Sequence, residues 1–404
     1  MGLTKSKNIK EKIIIFISLC VQLLLRTSTI ETMYEWRWRT TPYALTYDLG
    51  INSRFFVGTV ISFFTDNLTT KMLYIIILVA EFVLICFITF LLGKVLDKTE
   101  GKDRTTVIYL ICVFLACPAN ICLIFSQNNF GVFDVYLLII TALTLLVIKK
   151  KYLRWLIPVL CLTCVLIHQI YVCAYMSIIC VPLLYETVKS KFKKSTTLLT
   201  LTTYFLICIS FVYLQFFKKP LNFADENELF SYLQGVTDIP LTTEMLKWEY
   251  FSSVGTNFRE FFLGDGWQQN IMSGVVTLIM LSPIYIFFVM FFKEAYKNTE
   301  KGIERFPILV SPLTMLIIIP AFVIAKDYDR WFASVVLCQF SLIFYFYVSR
   351  QQGVLAALEK LREKISENKI FFALFIVYFS SLMFVAQNSL GEVGQLIETA
   401  IKGG

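Results

Sequence analysis

Met72-Leu-Tyr-Ile-Ile-Ile-Leu-Val-Ala-Glu81-Phe-Val-Leu-Ile-Cys-Phe-Ile-Thr-Phe-Leu-Leu92 is a run of 21 residues bounded by Lys71 and Lys94, with one charged side chain, Glu81. A helix on the surface of a soluble protein is apolar along one stripe only, whereas this run is apolar all round. Its length matches the ~20 residues that cross the hydrocarbon core of a bilayer. The run therefore predicts a transmembrane helix, and the same pattern recurs on both sides of it.

Further apolar spans are predicted near 11–26, 105–126, 131–148, 153–167, 171–187, 196–217, 271–292, 306–325, 331–348 and 370–388. The expected fold class is all-α, a polytopic integral membrane protein of about 11 transmembrane helices. Composition agrees. The chain is 57% hydrophobic and 16% charged, with mean hydropathy +0.69, against ~45–50% and ~25% in soluble domains. The spans at 153–167 and 171–187 are short, and read either as two thin spans or as a re-entrant pair meeting near His168. Cys117-Pro118-Ala119-Asn120 is expected to break the third span near its outer end. Ile13–Leu25 follows basic residues but precedes no small-residue cleavage site, so it reads as an uncleaved first helix.

The net charge of +8 reflects topology rather than nucleic-acid binding. Segments 1–12, 93–104, 149–154, 186–195, 293–305 and 350–369 carry 25 of the 37 lysines and arginines, and they alternate with poorer ones. Positive-inside asymmetry thus predicts a cytoplasmic N-terminus. Residues 1–404 then form a single transmembrane domain with a first outer loop at 26–71, including an interfacial helix, and a large outer loop at 218–270. Within 350–369, Val354, Leu358, Leu361 and Ile365 make one apolar stripe, expected to lie on the inner leaflet as a cytoplasmic amphipathic helix. Cys161 and Cys164 have no second pair nearby and read as small core residues. The expected location is a cell membrane, which the chain crosses many times.

The sequence contains no Walker A, G-x-G-x-x-G, H-E-x-x-H or G-x-S-x-G motif, and only one histidine. Its informative polar residues gather at the outer ends of helices: Asp48 and Arg54 in the first loop, Asp134 opening the fourth span, His168 closing the fifth, and Asp327, Asp329 and Arg330 before the tenth. Carboxylates there suit general-base chemistry or the binding of a divalent metal, and arginines there suit two-pronged binding of phosphate or pyrophosphate. Each has a plainer reading. Asp134 and Asp327 fit helix caps, His168 a polar turn residue, and Asp48 with Arg54 a loop ion pair. Glu81, at mid-span, fits either a functional acid or a packing partner of a neighbouring Tyr or Gln.

A long first outer loop carrying an acid, short broken helices, and Arg and His at the outer face together resemble the GT-C superfamily of lipid-dependent glycosyltransferases. They are also similar to bacterial Wzy-type and EpsG-like polysaccharide polymerases. The resemblance implies Asp48 as the catalytic base by position. It implies Arg54 and Arg330 as contacts for the phosphate of a polyprenyl-phosphate-linked sugar, with Asp134, His168, Asp327 and Asp329 in the same substrate site. The implied partners are membrane lipids, the lipid-linked sugar and polysaccharide-assembly machinery, and the implied location is a bacterial inner (cytoplasmic) membrane; the charge pattern leaves nucleic acid out. The first loop holds no D-x-D or E-x-D pair, and no motif supports a divalent metal. The alternatives are a flippase or transporter, an acyltransferase, and a non-catalytic assembly subunit.

Overall fold

The computed structural model describes residues 8–26, 29–35, 37–99, 101–117, 130–217, 222–252, 255–256, 258–259, 267–324 and 328–385, some without their side chains. Among them the chain is helical, and the one β feature is an isolated bridge between Leu68 and Thr237. The main helices are α1 (Ile9–Arg26), α2 (Phe55–Ser62), α3 (Thr70–Asp97), α4 (Asp103–Ala116), α5 (Asp134–Val147), α6 (Ile157–Ile167) and α7 (Ser177–Lys189). They continue with α8 (Lys194–Phe216), α9 (Glu226–Val236), α10 (Trp267–Lys297), α11 (Phe306–Leu313), α12 (Tyr328–Val348), α13 (Gln352–Glu367) and α14 (Lys369–Val385).

Five of the described helices are long and apolar enough to cross a membrane: Thr70–Asp97, Lys194–Phe216, Gly274–Lys297, Ile303–Ala321 and Arg330–Val348. Four of them bury only 28–33% of their most apolar window inside the protein. They turn large apolar side chains outward, including Val79, Phe82, Leu201, Phe205, Ile286 and Met290. A water-soluble fold does not expose such faces, and lipid accommodates them. The chain is an all-α, membrane-embedded protein.

The fifth helix differs. The Arg330–Val348 window is 83% buried, which makes α12 the centre of the bundle. Around it pack α10, α7 and α11, while α6 packs between α5 and α8, and α3 between α1 and α5. Burial explains the composition of α12. Phe340 and Phe344 stack face to face with centroids 6.0 Å apart, and Phe114 and Phe288 meet Phe340 edge-on. Its buried Gln339 donates to Thr314 Oγ1 at 2.9 Å and to the Ser311 carbonyl at 3.1 Å. Cys161 and Cys164 are each 1% exposed in α6, in keeping with a core role.

The apolar stripe of α13 is covered by protein, not by lipid. Val354, Ala357, Leu358 and Leu361 are buried against α10 and α4. Gly353 permits this approach, because a Cβ there would collide with the Ala295 carbonyl and Thr299 Oγ1. The expectation of a helix resting on the inner leaflet is corrected accordingly. Periodicity identifies an apolar face but not what covers it.

The two long loops share one end of the bundle and hold each other. Thr237 Oγ1 donates to the Leu68 carbonyl at 2.7 Å, and Thr70 Oγ1 to the Asp238 carbonyl at 2.9 Å. Thr242 N–H donates to Thr41 Oγ1 at 3.0 Å. The segment before α2 turns back over it, and Gly58 leaves room for the carbonyls of Tyr43 and Leu45. The opposite end carries the basic clusters, tied down by contacts such as Lys12 to Asp97 (2.6 Å) and Lys149 to Ser349 Oγ (2.6 Å).

Candidate functional site

Four helix ends converge under the long loops. Asp134 is the first residue of α5, His168 follows the last residue of α6, Arg330 lies in the first turn of α12, and Arg54 precedes α2. The structure brings all four together. Arg54, His168 and Arg330 line one small cavity with Trp38, Arg39, Pro42 and the 131–133 turn.

Asp134 organises the floor of this site. One carboxylate oxygen accepts from Arg330 Nη2 at 2.5 Å and the other from Tyr175 Oη at 2.6 Å. The Asp134 and Arg330 side chains are only 5% and 9% exposed. A buried charge is tolerated when it is paired and hydrogen-bonded, as both are here. The carboxylate is thus committed to Arg330 and Tyr175, and the helix-cap reading of Asp134 gives way to an inter-helix ion pair.

Arg54 forms the wall. Its Nη2 lies 2.9 Å from Glu249 Oε1 and 3.0 Å from His168 Nε2. Arginine keeps its protons at any physiological pH, so it must donate, and His168 Nε2 must present a lone pair. His168 is therefore neutral. Burial, and then Arg54, Arg330 and Arg39, hold its pKa well below the usual value. The Arg54 backbone is left-handed, at φ 71° and ψ 1°, a conformation that costs about 1–2 kcal/mol for a residue with a side chain. Contacts with Glu249 and His168 hold it there.

Two expectations are revised. Arg54 pairs with Glu249, and the loop ion pair between Asp48 and Arg54 does not form. Asp48 sits on a 3-10 turn, Tyr47–Leu49, is exposed, and accepts from Thr46 Oγ1 at 3.2 Å. It is not among the residues lining the cavity. Asp327 lies outside the described residues, as does the side chain of Asp329. Glu81, in the middle of α3, is fully buried, and neither of its carboxylate oxygens has a hydrogen-bond partner among the described residues.

Sequence reasoning missed Glu249, Trp38, Arg39 and Tyr175 as members of this site. Glu249 arrives because Tyr250 Oη donates to the Ser53 carbonyl at 3.2 Å, next to Arg54. No periodic pattern announces such loop-on-loop docking. Among the described residues, no group of three or more His, Cys, Asp or Glu side chains is placed to hold a metal ion. Comparison with known proteins finds no matching family model, no matching curated protein and no matching solved structure.

Proposed function

We propose that this chain is a membrane glycosyltransferase or polymerase that uses a polyprenyl-phosphate-linked sugar at the outer face of a bacterial cytoplasmic membrane. The observation that supports this reading is the cavity where Arg39, Arg54 and Arg330 meet beside a neutral His168. Guanidinium groups bind phosphate in fixed two-pronged geometry, and several aimed at one point suit a phosphate or pyrophosphate. In this reading the donor is lipid-linked and its sugar lies at the membrane surface, beside the loops. The free space among the arginines is about 20 Å³, room for about one water. A phosphate therefore enters by displacing the Glu249 carboxylate from Arg54. Asp48, exposed on its turn, is the proposed base that takes the acceptor hydroxyl proton.

The orientation belongs to the same proposal. Eleven spans with a cytoplasmic N-terminus put every basic cluster inside and the arginine cavity outside. In this topology α6 and α7 are two thin spans. They start and finish near Ser349, through Lys149 and Lys189, and reach Arg54 through His168. Reporter fusions at residues 100, 190 and 300 are expected to report cytoplasm, and fusions at 40 and 245 the outside. An outside signal at 190 with an inside signal at 245 overturns the orientation.

The phosphate reading is tested by Arg54→Lys and Arg330→Lys. A lysine keeps the charge but not the fork. Each variant is expected to lose about tenfold or more of glycan product at equal expression, the loss of one charge-assisted hydrogen bond. Normal product from both variants removes the arginines from substrate binding. A second reading, a lipid or polysaccharide flippase, has one observation in its favour, the buried and unpartnered Glu81 in mid-span.

A further inference from the structure

The opposite, basic end of the bundle holds a larger cavity, of about 390 Å³. It opens between the loop after α5, the end of α7 and the start of α8, and Lys149, Arg154, Lys189, Lys193 and Glu186 line it. Its volume falls within the ~300–1,000 Å³ of small-ligand sites. Four cations face one acid, Glu186, whose Oε1 accepts from Tyr345 Oη at 2.7 Å.

Lys149, Lys189 and Lys193 are exposed at the cavity and Arg154 is half-buried, and all but Lys193 have fixed contacts. Lys149 Nζ donates to Ser349 Oγ at 2.6 Å and lies 5.0 Å from the centre of the Tyr345 ring. Lys189 Nζ lies 5.5 Å from the centre of the Tyr185 ring. Arg154 Nη2 donates to Ser195 Oγ at 3.2 Å, while its buried Nε has no hydrogen-bond partner among the described residues. A buried donor left unsatisfied is costly and is normally met by something. Burial first, then Lys189 and Lys98, push the Lys149 pKa down, against an opposing pull from Glu186. Like charges crowded around an open space are relieved by an anion inside it.

We propose that this cavity binds a phosphate group, with Arg154 as its directional contact and Lys149, Lys189 and Lys193 as its charge complement. The phosphate belongs either to an anionic lipid of the adjacent leaflet or to a soluble phosphate compound. The apolar wall made by Leu183 and Leu199 suits the first, and the open mouth suits the second. The site is separate from the arginine cavity and does not rest on the transferase reading.

The test uses the full-length protein in nanodiscs. Pyrophosphate binding is measured by calorimetry in phosphatidylcholine discs. Retention of phosphatidylglycerol from mixed discs is measured by native mass spectrometry. Both are run on the wild type, Arg154→Gln, Lys193→Gln and Lys301→Gln, the last an exposed lysine that lines neither cavity. Lys193 is exposed, so its substitution leaves the fold intact. Binding about tenfold weaker in Arg154→Gln and Lys193→Gln, but unchanged in Lys301→Gln, is expected. That pattern for pyrophosphate identifies a soluble ligand, and that pattern for phosphatidylglycerol alone identifies a lipid headgroup. Wild-type binding of neither probe, or equal binding by the wild type and both basic-end variants, overturns the proposal.

Discussion

Asp48→Asn is expected to leave the protein inserted and abundant while lowering glycan product by about 10²–10⁴-fold, the usual contribution of a positioned general base. Asparagine is nearly isosteric but cannot accept the acceptor hydroxyl proton. The structural cost is small, because Asp48 is exposed and its one hydrogen bond, from Thr46 Oγ1, survives to the asparagine oxygen. Product is measured at matched expression. The informative partner variant is Glu249→Gln. Glu249 is the counter-ion of Arg54, which a phosphate displaces in this account, so its neutralisation leaves product near the wild-type level. Product lost in Glu249→Gln and kept in Asp48→Asn would transfer the base role to Glu249.

The second large effect concerns stability. Asp134→Ala takes the carboxylate away from the buried Arg330 guanidinium. Breaking a buried pair from one side costs about 3–5 kcal/mol, mostly the burden of the uncompensated charge. A marked fall in the thermal midpoint of the detergent-solubilised protein is expected. Replacing both partners by apolar residues, Asp134→Leu with Arg330→Met, is expected to recover most of that loss. The double variant is expected to remain inactive, because in the proposed reading Arg330 is a phosphate contact. A double variant no more stable than Asp134→Ala would show that the pair does more than neutralise one charge. A double variant that made product would remove Arg330 from the chemistry.

These two residues illustrate what the sequence reveals. Arg54, Asp134, His168 and Arg330 each stand at a helix end, and apolar runs of known length place helix ends at a common level. Their convergence was therefore legible from hydropathy and chain order. The pairing itself was not. Asp134 reads equally well as a helix cap, and only the position of α12 at the bundle centre puts Arg330 against it. Arg54 reads as a partner of Asp48, six residues away. The left-handed backbone at Arg54 and the docking of the second loop, through Thr237, Asp238 and Tyr250, give it Glu249 instead. Loop docking depends on single threonine and tyrosine hydroxyls, which leave no period to count. The α13 stripe has the same lesson. Val354, Leu358 and Leu361 announce a buried face, but the closeness of Gly353 to Ala295, which decides what buries it, is a property of two distant segments.

The claim on which the functional account stands is that a lipid-linked sugar is consumed at the arginine cavity. The most direct measurement is the pool of lipid-linked oligosaccharides extracted from cells lacking this chain, compared with cells carrying the wild type or Asp48→Asn. The account predicts that polyprenyl-linked intermediates accumulate in both the deletion and the Asp48→Asn cells, as single repeat units for a polymerase or as truncated units for a transferase. A lipid-linked pool identical in all three strains would contradict it.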